Sequence, residues 1–346
     1  MEVCVKKRII AWVCATVAVI VVWQLLTALL IPKYMTSIPE GALIAEYYEE
    51  STPHQVLFVG DCEVYENFSP ATLWEEYGIT SYIRGSAQQL IWQSYYLLEE
   101  MLRMETPQVV VFNVLSVKYD TPQNEAYNRM SIDGMKWSSS KWGAIQASMT
   151  DEEQALTYLL PLLRYHSRWN ELSREDITYM FHRDRISHNG YLMQTGVRPV
   201  TSMPTVTPLE DYTISPICME YLDKMRLLCE DYGVELILIK APSIYPIWYE
   251  EWDEQIAAYA DAHGLAYYNL YDLSEEIGID WNLDTYDAGL HLNVWGAEKL
   301  SRYFGQLLSE THGVSSEKDN FMIDLLWEMK CLAYERQKAQ AESPYK

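Results

Sequence analysis

Two short segments hold the residue types that acyl-transfer chemistry needs. Gly60-Asp61-Cys62 closes the apolar run at 55–60. A cysteine is nucleophilic as its thiolate, and a helix starting near Glu63 would lower the thiol pKa through its N-terminal dipole. Asp61 and Glu63 would act against that. Far downstream runs Asp287-Ala288-Gly289-Leu290-His291-Leu292-Asn293. A nucleophile requires a base within about 3 Å, and the base an orienting partner. His291 and Asp287 can fill these roles, with Asp284 as a weaker substitute for the acid. Competing structural readings exist for both segments. Free cysteine is among the most buried residue types, and Asn293 can serve as a helix cap with His291 solvated. Of the seven histidines, His291 is the one placed where a base for Cys62 would be required.

The elements that would position these residues are readable from apolar runs and glycines. QVLFVG (55–60), ITSYIRG (79–85), PQVVVFNVLSV, VELILIKAPS and LAYYNL read as five strands. Between them lie helical patterns: SPATLWEEYG, with Ser69 as cap and Pro70 at the first position, AQQLIWQSYYLLEEMLRM, MEYLDKMRLLCEDYG closed by Gly233, YEEWDEQIAAYADAHG closed by Gly264, and a last helix from Gly296. Strand–helix alternation predicts an α/β protein with a parallel sheet covered on both faces. Cys62 and His291 then both fall at the carboxyl edge of the sheet, where such folds bind ligands. Residues 118–213 break the alternation and read as a mainly helical insertion. Within it, Arg164 and Arg168 share a helix face, with His166 between them, and can hold an anionic group; a surface ion-pair network with Glu171 is the alternative. Lys240 ends the fourth strand, near where a substrate would lie. With Asp61 beside the nucleophile, these residues are the expected substrate contacts. Residues 313–346 supply a C-terminal helix.

The two motifs together resemble the SGNH/GDSL hydrolases, and most of all their membrane-anchored branch, which includes the teichoic-acid D-alanylation protein DltD and proteins associated with alginate or peptidoglycan O-acetylation. Gly60-Asp61-Cys62 matches the G-D-S block that carries the family's serine. His291-Leu292-Asn293 with Gly296 matches the last block, Gly85 the block-two glycine, and Asn113 loosely the block-three asparagine. The resemblance spans about residues 55–312 outside the insertion. It implies a flavodoxin-like three-layer α/β/α SGNH fold, a Cys62–His291–Asp287 site with Gly85 and Asn113 as oxyanion donors, no cofactor, and an integral-membrane acyltransferase partner of the MBOAT type. Two departures stand out. Cysteine replaces serine, and the acid lies four residues before the histidine, where the family has it three before; Ala288 occupies that position.

The 24 uncharged residues at 9–32 make a helix of about 36 Å, enough for a hydrocarbon core of about 30 Å. The run is too long for a signal-peptide core and has no A-x-A site, so it reads as an uncleaved signal anchor. Lys6, Lys7 and Arg8 precede it, which orients the N-terminus to the cytoplasm and the rest outside the membrane. A linker (34–54) would connect this anchor to the α/β domain. The chain of 346 residues carries a net charge of −23. Residues 1–33 hold four cations and one acid, so the remainder stands at −26. That balance excludes a nucleic-acid binder, which needs a basic face. Six cysteines do not form a disulfide scaffold, since Cys218 and Cys229 are about 16 Å apart along one helix. H-E-x-x-H, paired C-x-x-C and a G-x-G-x-x-G after the first strand are all absent. The expectation is therefore an extracytoplasmic acyltransferase or esterase acting on a cell-envelope polymer or glycan. The alternative is a degenerate relative that binds an envelope ligand or scaffolds an acyltransferase complex.

Overall fold

The structure is a computed structural model and describes residues 2–32 and 41–345. It divides into two compact units, residues 1–40 with 151–185, and residues 41–150 with 186–346.

The larger unit is built on one five-stranded sheet, β1 (Val56–Gly60), β2 (Ser81–Gly85), β3 (Val109–Asn113), β4 (Glu235–Lys240) and β5 (Ala266–Asn269). All pairings are parallel, in the order β2-β1-β3-β4-β5. The order reverses between β1 and β3, and this switch point opens a crevice at the carboxyl edge. Every residue of β1, β2 and β3 is buried, and β1 and β3 accordingly read as continuous apolar runs and not alternating ones. The edge strand β5 is half-buried.

Side-chain alternation sends the strand residues to two cores. On one face Phe58 packs on Phe68 (4.9 Å between ring centres), and Phe68 on Phe304 of helix Val294–Glu310 (5.5 Å). On the other, Leu57, Val59, Val110, Phe112 and Leu238 meet Trp92 and Leu98 of helix Ile91–Leu102 and Leu222 and Met225 of helix Pro216–Tyr232. Helices therefore cover both faces, as the alternation predicts. Ser69 caps helix Pro70–Tyr77 by accepting from Thr72 N, and Gly233 and Gly264 close their helices in the left-handed conformation. The C-terminal helix Phe321–Lys338 lies against helix Pro70–Tyr77, with Trp327 stacked on Trp74 at 5.4 Å. The insertion contains helices Glu125–Ile132 and Ser139–Ser148 in this unit and a Pro-punctuated irregular stretch from 197 to 213.

The expected linker differs from its reading where it is described. Residues 34–40 lie outside the described residues; residues 41–54 are packed into the larger unit. The cause is Arg84, fully buried in β2. Its guanidinium pairs with Glu100 at 2.6 Å, donates to Tyr48 Oη at 2.7 Å and lies 4.8 Å above the Tyr47 ring. A charge in a sheet interior requires partners, and two of them come from 41–54.

In the smaller unit, Val5–Leu30 is long and apolar enough to cross a membrane, with a mean hydropathy of 2.4. The short helices Ala155–Leu159, Leu162–Tyr165 and Arg174–Phe181 belong to the same unit. Leu30 forms a small cluster with Leu162 and Tyr165.

Candidate active site

β1 ends at Gly60, and the chain turns at once into the one-turn helix Cys62–Tyr65. Asp61 caps this helix, its Oδ1 accepting from Glu63 N at 3.2 Å. The turn needs glycine on both sides. A β-carbon on Gly60 would stand 2.4 Å from Val64 Cγ2, and one on Gly85, its neighbour in register, 2.8 Å from Gly60 O and 3.2 Å from Asp61 O. The glycine that matches the family's second block is thus required by backbone approach to the Asp61 turn.

The second loop is folded back on itself. Thr285 bridges Leu292, Gly289 N donates to Thr285 Oγ1, and Ala288 and Gly289 adopt positive φ. This reversal brings Asp287 round to His291 despite the extra residue. Asp287 Oδ2 lies 2.7 Å from His291 Nδ1, and Oδ1 accepts from His291 N at 2.8 Å. Asp284, the other acid considered, is occupied elsewhere: it pairs with Lys299 at 2.7 Å and accepts from Asp280 N. Asn293 does cap the last helix, accepting from Trp295 N and Gly296 N. Capping and a placed histidine therefore coexist in this loop.

Asn67 ties the two loops together. Its Oδ1 accepts from Leu292 N at 2.8 Å and its Nδ2 donates to Pro242 O at 3.3 Å. Cys62, which is half-buried, interacts with the His291 imidazole. Nδ1 is held by carboxylate, and Nε2 is buried without a hydrogen-bond partner among the described residues, so it is the nitrogen left to act on the thiol. Burial pushes the Cys62 thiol up, and His291 opposes this only in part. Burial alone would depress His291; the Cys62 thiolate and the bond to Asp287 outweigh it and hold the imidazole well above its ordinary value. Thiolate and imidazolium thus favour each other, while burial opposes both charges.

Below the turn lies a dry polar network. Lys240 and Glu63 are both fully buried and paired, Nζ at 3.0 Å from each Glu63 oxygen. Lys240 also donates to Ala241 O and Ser243 Oγ. Asn113 Nδ2 donates to Asp61 Oδ1 at 3.1 Å and Glu63 Oε2 at 3.0 Å, and its Oδ1 accepts from Ala241 N. Both amide hydrogens of Asn113 are therefore committed, and in this arrangement it braces the nucleophile turn and presents no free donor to an oxyanion. Lys240 likewise serves the turn from beneath. Asp61 is pushed up to about 6 by burial and by the Glu63 charge.

Arg164, His166 and Arg168 belong to the smaller unit, and the set around Cys62 to the larger. Arg168 is bound by Leu30 O at 2.7 Å, by Asp176 and by Glu171, which fits the ion-pair alternative for that residue. His166 Nδ1 lies 3.1 Å from Leu163 O.

The sequence reading took Glu63 only as a charge opposing the thiolate and did not reach Ser243, Glu66, Tyr286 or Lys118. Glu63 and Ser243 complete the Lys240 network, their hydroxyl–carboxylate bond included. Glu66 and Tyr286 sit at His291. One local signal pointed to Glu66, since it lies four residues after Cys62 and so one helical turn on. Lys118 is also near: its ammonium stands 4.7 Å over the Tyr119 ring, and burial depresses its pKa against the pull of Asp61 and Glu63.

Glu66, Asp287 and His291 offer donor atoms within 4.8 Å of one another. These atoms surround one imidazole N–H, which suits proton sharing. No known family model matches the chain, and no curated protein is similar to it.

Proposed function

We propose that this protein is a cysteine-dependent acyl-transfer enzyme of the SGNH/GDSL type. The observation that carries the reading is the Asp287–His291 bond of 2.7 Å, on a loop that Asn67 ties to the Cys62 turn by accepting from Leu292 N at 2.8 Å, at the carboxyl edge of a parallel sheet. Cys62 Sγ passes its proton to His291 Nε2 and attacks an acyl carbonyl. The tetrahedral oxyanion collapses, the leaving group takes the proton from the imidazolium, and a thioester remains. An acceptor hydroxyl, or water, then gives its proton to His291 and attacks the thioester; collapse expels the thiolate, which recovers the proton. Asp287 fixes the ring and stabilises its charged form. The Val5–Leu30 helix would anchor the enzyme with its cationic N-terminus in the cytoplasm and its site outside. The family resemblance supports a cell-envelope polymer or glycan as acceptor and an MBOAT-type membrane protein as acyl source.

A second reading, a ligand-binding or scaffolding protein without turnover, is favoured by one observation: both Asn113 amide hydrogens are spent on carboxylates. The test is to incubate the full chain in detergent with p-nitrophenyl acetate and search for an acetyl mass on the Cys62 peptide. The enzyme reading requires that adduct in the wild type, its absence in Cys62→Ala, and its persistence without turnover in His291→Ala at most. Equal ester hydrolysis by wild type and Cys62→Ala would refute it.

A further inference from the structure

His291 is served by more than one acid. Glu66 Oε2 lies 3.0 Å from Nδ1, against 2.7 Å for Asp287 Oδ2. A single N–H cannot point at both, and the shorter, hydrogen-bonded contact belongs to Asp287; Glu66 contributes charge. Its side chain is 6% exposed against 20% for Asp287, so its field is the less screened of the two. Tyr286 holds it in place. The phenol donates to Glu66 Oε2 at 2.6 Å, and its ring stacks on the imidazole with 13° between planes. The phenol oxygen is also 3.4 Å from Nδ1.

This arrangement constrains protonation. Cys62 and Glu66 face the imidazole from the first loop, Asp287 and Tyr286 from the second, with Asp61 and Tyr65 next outward. None of these can carry positive charge. A buried carboxylate without a cation is costly, and burial does push Glu66 up, with His291 and the Tyr286 bond opposing it. Glu66 is thus stable as an anion when the ring is an imidazolium, the state produced when Cys62 loses its proton.

The geometry points to Glu66, held by Tyr286, as a second acid of the His291 base, a positioning and charge-stabilising residue outside the Cys62–His291–Asp287 triad. This rests on the nucleophile reading above and extends it. It also gives the cysteine site a reason to work with a third member displaced by one residue, because the base does not depend on Asp287 alone.

The experiment is alkylation of Cys62 by iodoacetamide in the full-length protein in detergent, followed by peptide mass spectrometry from pH 5 to 9. Wild type, Glu66→Gln, Tyr286→Phe, Asp287→Asn and His291→Ala are compared, each first checked for an unchanged melting temperature. Glu66→Gln keeps the shape and removes the charge. An opposite charge this close raises the imidazole pKa by about 1–3 units, which outweighs the weaker direct repulsion of the Cys62 thiolate by the same carboxylate, so the variant should alkylate about tenfold more slowly at pH 7, with its midpoint shifted to higher pH. Tyr286→Phe should shift the midpoint the same way and less, because Glu66 then keeps its proton to higher pH. If wild type reacts no faster than His291→Ala, the nucleophile reading fails. If wild type is fast and Glu66→Gln matches it in rate and midpoint, the second acid is wrong and the nucleophile stands. Should Glu66→Gln not fold, an unshifted midpoint in Tyr286→Phe overturns the inference by itself.

Discussion

Removing Lys240 should leave a carboxylate stranded in the dry layer beneath the nucleophile turn. In Lys240→Met the apolar stem is replaced closely, but Glu63 keeps only Ser243 and Asn113 as partners. Both side chains of the pair are fully buried, so solvent cannot replace the ammonium. Breaking a buried pair on one side costs about 3–5 kcal/mol. At about 2 °C per kcal/mol for a domain of this size, the melting temperature should fall by roughly 6–10 °C. Differential scanning fluorimetry of the full chain in detergent at pH 7.5 measures this directly. The double variant Lys240→Met/Glu63→Leu removes the stranded charge and should recover more than half of the loss, because an apolar pair replaces an ionic one at little net cost. A fall below 2 °C in the single variant, or a double variant no better than the sum of the singles, would refute the claim that this pair is tightly coupled and shielded. The same experiment reaches the site, since Glu63 shares Asn113 with Asp61, and a shifted turn would also change the Cys62 alkylation rate.

Two further outcomes follow from the geometry. Gly85→Ala puts a methyl group 2.8 Å from Gly60 O; overpacking of this kind costs about 1–3 kcal/mol, and both melting temperature and Cys62 alkylation should fall, whereas a variant unchanged in both would contradict the close approach. Asp61 has its pKa raised in the fold from 3.8 to about 6, so the favourable contribution of its neutral form is present below about pH 4 and is lost as pH rises through 6. The ionised form then costs roughly 1–3 kcal/mol at pH 8. Asp61→Asn, which keeps the cap, should therefore gain stability over wild type at pH 8 and not at pH 4; an equal difference at both pH values would remove Asp61 as its source.

β1, β3 and β4 were legible because parallel strands buried on both faces write themselves as unbroken apolar runs, and Gly60, Gly233 and Gly264 mark where the chain turns. The pairing of Asp287 with His291 was legible in residue type, while its geometry depends on Ala288 and Gly289 taking positive φ, which no alternation pattern encodes. The Lys240–Glu63 pair was not legible at all: 177 residues separate its members, and each alone looks like an ordinary charged residue beside a strand. Asn113 was found by position but not by role, since its partners come from two distant segments, the 61–63 turn and Ala241. Residues 41–54 read as a linker because their local pattern is weak; what packs them is Arg84, whose need for partners is invisible until β2 is known to lie inside the sheet.

The contact between the C-terminal helix and helix Pro70–Tyr77 has a consequence for how the molecule is made. Cys331 reaches Ala71 across 260 residues of chain, and Trp327 covers Trp74 directly after the nucleophile segment. A ribosome delivers helix Pro70–Tyr77 early and its cover some 260 residues later. Contacts this distant in sequence slow folding and leave apolar surface open meanwhile. The nascent chain therefore has to be kept from aggregating until residues 321–338 emerge, and premature termination upstream of them yields a protein that holds the residues of its site but leaves Trp74 and its helix uncovered.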